Sequence, residues 1–110
     1  MSVVQLICDE PWFSLIRKGI KPVEGRKNSP KYQKISAGDR LEFICNGDSF
    51  QAVVTEVRRY ETLDDYLFDV TIEKALPGIS SVEEARRIYL QWSTPQEIEK
   101  YGFLGIYVRV

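Results

Sequence analysis

Lys21, Glu24 and Arg26 place an ammonium, a carboxylate and a guanidinium inside one short stretch, GIKPVEGRKNSPKYQKISAGDRLEF (19–43). A carboxylate beside an amine can move a proton to or from a reacting group. The same pair can instead accept and donate hydrogen bonds to a ligand that never reacts. The surrounding segment is basic: Arg17, Lys18, Lys21, Arg26, Lys27, Lys31 and Lys34 stand against Glu24 as the only acid, although the whole chain carries 15 Lys plus Arg and 16 Asp plus Glu. A phosphate-binding rim would use such a concentration of positive charge. The lone carboxylate would repel a bare phosphate and needs another reason to be there.

The chain has no histidine. Ser-His-Asp triads, Cys-His pairs and histidine acid/base chemistry are therefore excluded. Two isolated cysteines without histidine do not make a zinc site, so no metal is expected. Gly19, Gly25, Gly38 and Gly47 fit neither nucleotide-binding glycine spacing, and no cofactor is expected. Any catalysis would fall to Lys, Glu, Asp, Tyr, Ser or Thr.

These groups must be positioned by an α+β scaffold. VVQLIC (3–8) reads as a strand. Asp9 is expected to cap a short helix that admits Pro11 in its first turn, carries Trp12, Leu15 and Ile16 as its apolar stripe, and ends at Gly19. KPVEGRKN (21–28) is extended and SPKYQKI (29–35) is a loop or single helical turn. DRLEFICNGDSFQAVVTEVRRY contains two strands about Asn46-Gly47, the pair favoured in a two-residue type I′ hairpin. Leu63, Tyr66, Leu67 and Val70 then recur at helical spacing behind Thr62. SSVEEARRIYLQW carries a capping signature from Ser80 to Glu83 and a stripe of Val82, Ala85, Tyr89 and Trp92. In TPQEIEKYG, Thr94 caps, Pro95 occupies the first helical position, Glu97 closes the box and Gly102 stops the helix. FLGIYVRV is a closing strand. The expected fold is a small β-barrel of about five to six strands with flanking helices inserted before the last strand.

The length of 110 residues and the 44% hydrophobic content are those of one globular domain, 1–110, with a single core. Neither a membrane-spanning run nor a basic-then-apolar leader is visible, so the expectation is an intracellular, cytoplasmic protein, monomeric by default. Cys8 and Cys45 each end an apolar run and read as buried, reduced thiols.

WFSLIRKGIKPVEGRKNSPKYQKISAGDRLEF resembles the signature of the ASCH family, a branch of the PUA-like fold. The G-x-K-x-x-E-x-R mark is matched by Gly19, Lys21, Glu24 and Arg26, followed by Gly38-Asp39 before a strand. LPGISSVEEARRIYLQW and EKYGFLGIYVRV are similar to the family's Pro-Gly-plus-helix segment and closing strand. The resemblance spans nearly the whole chain. It implies a small PUA-like barrel with a cleft that binds RNA or a nucleotide. One bacterial branch of the family hydrolyses the amide of acetylated cytidine with a lysine, a threonine and a downstream glutamate. Lys21 matches that lysine, but Glu24 stands where the threonine would be, so amide cleavage is not expected.

The expected ligand-binding residues are Lys21, Glu24, Arg26, Lys27, Lys31 and Tyr32. Lys21 would meet a phosphate or a base carbonyl, unless it is an ordinary surface lysine. Glu24 and Arg26, two apart on a strand, share a face. Either Arg26 holds the carboxylate in place, or Glu24 accepts from the exocyclic amine of a base. Trp12, Tyr32, Tyr60 and Tyr89 are available for stacking, with Tyr32 in the basic loop favoured and Trp12 and Tyr89 assigned to the core. Three functions follow from these features: an RNA or nucleotide binder; a small hydrolase of a modified (acylated) pyrimidine nucleoside or of RNA, with Lys21 and Glu24 as proton-transfer pair; or a protein-interaction domain using the aromatic helices.

Overall fold

The computed structural model describes residues 3–110. Its elements are β1 (Val3–Ile7), α1 (Trp12–Arg17), β2 (Val23–Lys27), β3 (Arg40–Cys45), β4 (Asp48–Tyr60), α2 (Leu63–Val70), α3 (Ile72–Ala75), α4 (Val82–Tyr89), α5 (Pro95–Tyr101) and β5 (Phe103–Arg109). The strands form one curled sheet in the order β1-β3-β4-β5-β2. β1 runs parallel to β3, with Leu6 opposite Phe43, and the remaining pairings are antiparallel. The first and last strands of the chain both belong to it, as expected.

The hairpin forms at Asn46-Gly47, where both residues take positive φ (49° and 83°) as a type I′ turn requires. β4 is long enough to serve two neighbours. Its first half pairs with β3 and its second with β5, and a register shift between Val54 and Glu56 bends it from one to the other. This curvature produces a half-barrel with two unpaired edges, β1 and β2.

Two apolar clusters fill the fold. One lies inside the curled sheet (Leu6, Phe13, Ile16, Leu41, Phe43, Val54, Ile106). The other lies between β2–β5 and the helices (Val23, Tyr66, Leu67, Val70, Tyr89, Ile98, Phe103). Trp12 packs against both.

Two helix starts differ from the sequence reading. Pro11, not Asp9, holds the N-cap position of α1 and makes no side-chain cap bond; the preceding Glu10 carboxylate accepts from the Ser14 backbone N–H at 2.9 Å and from the Ser14 hydroxyl at 2.6 Å. Asp9 takes part only through its backbone carbonyl, which accepts from Phe13 N–H. The apolar contact of α1 is made by Phe13 and Ile16, while Trp12 is half-buried. In α4 the cap is Ser81, accepting from Glu84 N–H at 3.1 Å, one residue later than Ser80 and Glu83 suggest. That frame buries Ala85 and Tyr89 and leaves Val82 on the surface; the helix ends at Tyr89, so Trp92 lies beyond it. Thr62 and Thr94 cap as expected, and Thr94 and Glu97 form a reciprocal capping box.

Thr71, between α2 and α3, has φ 76° and ψ 146°. A β-branched residue is strained there, by about 1–3 kcal/mol. Glycine would relieve that strain at an entropic cost of roughly 0.5–1 kcal/mol. Thr71→Gly should therefore raise the urea midpoint, whereas glycine at most exposed positions lowers it. A lowered midpoint would show that the residue is not strained.

Candidate functional site

The edges of the half-barrel meet at a cavity of about 230 Å³. It lies where the two apolar clusters touch. Its walls come from the end of β1 (Ile7, Cys8, Asp9), from Trp12, from β2, and from Leu76, Tyr89, Trp92, Ser93 and Phe103 of the helical layer and β5. Lys21, Glu24 and Arg26 all line it.

Local structure explains how each arrives. After α1 the chain turns at Gly19 (φ 79°), and the N–H groups of Ile20 and Lys21 both donate to Leu15 O, at 3.0 and 3.1 Å. This folds Lys21 inward rather than to solvent. Its ammonium is 2% exposed and donates to Val23 O at 2.5 Å and to Ala75 O at 2.6 Å. Lys21 thus ties β2 to the end of α3. Strand periodicity places Glu24 and Arg26 on one face of β2. Glu24 Oε2 accepts from Arg26 Nε at 2.8 Å, and Arg26 Nη2 lies 2.7 Å from the same oxygen. Arg26 Nη2 also donates to Ile7 O at 2.8 Å, so a side chain bridges the β1 and β2 edges where no backbone pairing does. Glu24 Oε1 stands 3.7 Å from Lys21 Nζ, beyond hydrogen-bond distance.

The carboxylate therefore offsets one of the two positive charges that flank it, those of buried Lys21 and partly buried Arg26. Burial pulls the Lys21 pKa down, and the neighbouring Glu24 charge opposes that shift. For Arg26, burial alone would lower the value, but Glu24 and Tyr32 together outweigh it and the pKa is raised. The Cys8 thiol, 6% exposed, is pushed up to about 12 by burial and then by the Glu24 charge. It stays protonated at neutral pH and is not a thiolate nucleophile. Tyr66 and Tyr89 share a 2.7 Å hydroxyl contact, and burial raises both pKa values. Tyr89 also donates to Ala75 O at 3.4 Å, so one carbonyl serves both Lys21 and Tyr89. Ser93, 8% exposed, lines the same cavity, whereas among the described residues the buried side-chain polar atom without a hydrogen-bond partner is Asn28 Oδ1.

The other residues expected to bind ligand lie outside the cavity wall. Lys27 donates to Glu97 Oε2 at 2.7 Å, and Lys31 is exposed with its ammonium 5.4 Å from the Tyr32 ring centroid. Tyr32 packs on the sheet core with Arg26 over its ring. Tyr60 donates to Asp69 Oδ2 at 2.6 Å. The basic segment is also less free than its composition implies. Arg17 pairs with Asp48, Arg26 with Glu24 and Lys27 with Glu97, and Lys21 is buried. Lys18, Lys31 and Lys34 remain exposed and without an ion pair among the described residues.

Sequence reasoning missed Cys8, Leu76, Trp92, Ser93 and Phe103 as wall residues. They come from separate segments joined only by tertiary packing. Among the described residues, no group of three or more His, Cys, Asp or Glu side chains is placed to hold a metal, and no helix is long and apolar enough to cross a membrane.

The half-barrel, its five-strand order and its seam cavity define a small PUA-like α+β domain. The chain belongs to the ASCH domain family, whose profile matches residues 6–108. The crystal structure of hypothetical protein PH0355 superposes with a TM-score of 0.90 at 30% identity, covering 99% of this chain and 98% of that one. The solution structure of protein PF0455 from Pyrococcus furiosus gives a TM-score of 0.81 at 27% identity, covering 97% and 96%. No curated protein matches the chain at a significant level.

Proposed function

We propose that the seam cavity binds one planar heterocycle, the base of a nucleoside, of a nucleotide or of a residue in RNA. The observation that carries this reading is Glu24: a carboxylate 6% exposed, pinned through one oxygen by Arg26 and leaving the other beside Lys21 at the cavity wall. A phosphate placed there would meet that negative charge, and both nearby cations are already engaged. A base edge suits the site better. Its ring N–H or exocyclic amine can donate to Glu24 Oε1, and an adjacent carbonyl can accept the remaining Lys21 proton. Ser93 offers a further hydroxyl. Trp12, at the start of α1, and Trp92, in the turn after α4, supply apolar faces for a ring. The cavity lies below the roughly 300–1,000 Å³ of drug-sized sites and suits a single ring system. Exposed Lys18, Lys31 and Lys34 are then available to the phosphates of a longer strand.

The test is an NMR titration of the protein with the four ribonucleosides, ribose 5-phosphate and a short single-stranded RNA. At least one nucleoside should shift the Glu24 and Ser93 amides and the Trp12 and Trp92 indole N–H signals, while ribose 5-phosphate leaves them in place. Trp92→Ala, at a residue 46% exposed, should weaken that nucleoside about tenfold or more, as loss of base stacking does. Equal shifts from ribose 5-phosphate, or none from any nucleoside, would remove the reading. Turnover of an acylated cytidine, followed by mass spectrometry, would replace binding with hydrolysis.

A further inference from the structure

A second concavity, of about 770 Å³, opens between α2, α3 and the start of α4 and shares no wall residue with the seam cavity. Its apolar surface includes Leu67, Phe68, Ile72, Ile79 and Val82. Phe68 is 89% exposed, on a helix whose other apolar residues, Leu63, Tyr66, Leu67 and Val70, are all buried. An aromatic ring presented this way in a groove is the usual form of a binding anchor. The rim is acidic. Asp64, Asp65 and Glu73 border the groove, and Arg86, the one cation on its wall among the described residues, is taken up by Asp64 at 2.7 and 2.8 Å. Asp65 and Glu73 have no cationic partner among the described residues.

We infer that this groove docks a basic amphipathic helix of another protein, anchored on Phe68. The occupant is basic because the rim carries two unpaired carboxylates around an apolar floor. It is helical because α2, α3 and α4 wall the groove with side chains and offer no strand edge. A docked chain must therefore satisfy its own backbone hydrogen bonds. It is not a second copy of this chain. α1 carries Arg17 and Lys18 but spends its apolar face on Phe13 and Ile16, and α4 and α5 alternate acids with their cations. Among the described residues no helix offers an exposed apolar stripe bordered only by cations.

The experiment titrates the full chain with a synthetic peptide of about fourteen residues carrying Leu and Lys at helical spacing. Controls are the same peptide with Glu for Lys and a scrambled version of the basic one. The amphipathic basic peptide should shift amides between Leu63 and Val82, bind at least tenfold more tightly than either control, and weaken as salt rises. Phe68→Ala should reduce its affinity at least tenfold, and Asp65→Lys with Glu73→Lys should do the same; both sites are exposed, so the fold is spared. Equal binding of the scrambled or acidic peptide, or no effect of Phe68→Ala, would overturn the inference. So would concentration-dependent self-association that Phe68→Ala abolishes, since the occupant would then be a second copy. The nucleoside titration reports on the other cavity, so either reading can fail alone.

Discussion

Glu24→Gln is expected to cost about 3–5 kcal/mol of stability at neutral pH, the usual cost of removing one partner from a buried ion pair. The wild-type site holds one anion between two cations, with Glu24 and Lys21 side chains only 8% and 2% exposed. Without the carboxylate, the buried Lys21 ammonium and the partly buried Arg26 guanidinium remain unopposed. Glutamine keeps the shape and an oxygen for Arg26, so the loss measures charge rather than packing. The pH dependence gives an independent check. Burial lowers the Lys21 pKa from 10.5, and Glu24 is the largest influence holding it up. In the variant Lys21 gives up its proton at a lower pH. Between its folded and unfolded values the unfolded chain then binds a proton that the folded chain does not, so stability rises with pH across that interval. Comparing variant with wild type at each pH cancels the shared losses from Cys8 and the tyrosines. The deficit in urea unfolding should therefore shrink as the pH rises toward 10.5, the ordinary lysine value. Glu42→Gln, which loses only an exposed bond from Gln5, should stay within about 0.5 kcal/mol of wild type. A Glu24→Gln deficit below about 1 kcal/mol, or one that widens with pH, would show that the carboxylate does not neutralise the site.

The legible parts of this fold were those encoded within a few residues. The Asn46-Gly47 hairpin, the Thr62 and Thr94 caps and the buried face of α2 each follow from one turn of helix or one pair of strands. The misplaced caps show the limit of local reading. SSVEE contains two overlapping capping signatures, and only burial of Ala85 and Tyr89 against the sheet selects the later one. Trp92 continued the helical stripe on paper, but the helix stops three residues earlier. The site was legible in its types and not in its roles. Lys21 reads from the sequence as a cleft cation or an ordinary surface lysine, and neither reading contains its role as a buried tie between β2 and α3. Its burial depends on a carbonyl 54 positions away at Ala75, which no local pattern encodes. The pairing of Glu24 with Arg26 followed from strand periodicity. That Glu24 also faces Lys21 required the turn at Gly19.

Gly25→Ala should destabilise the protein by about 3 kcal/mol, at the upper end of the cost of overfilling a core. Most glycine-to-alanine changes in a strand have the opposite sign, because alanine restricts the unfolded chain. Gly25 sits between Glu24 and Arg26 and faces the helical layer. A Cβ there would lie 2.6 Å from Tyr66 Oη, 2.8 Å from Tyr66 Cζ and 2.9 Å from Phe103 Cε2. None of these atoms can yield cheaply. Tyr66 is fully buried, and its hydroxyl contacts Tyr89, which donates to the same Ala75 carbonyl that holds Lys21. Displacing the Tyr66 ring would therefore strain the Lys21 anchor as well. Gly105, opposite Gly25 in register, completes the hollow for this ring, but a Cβ there would approach Tyr60 and Tyr66 only to 3.3 Å. Gly105→Ala should cost less than half as much. Adding Tyr66→Phe to Gly25→Ala should recover part of the loss by removing the closest contact, but not all of it, since Cζ and Phe103 remain. Urea unfolding of the three variants tests the ordering. Equal costs at the two glycines, or a neutral Gly25→Ala, would mean that the sheet can open enough to admit a methyl group. In that case the glycine between the two charged site residues would not be required by packing.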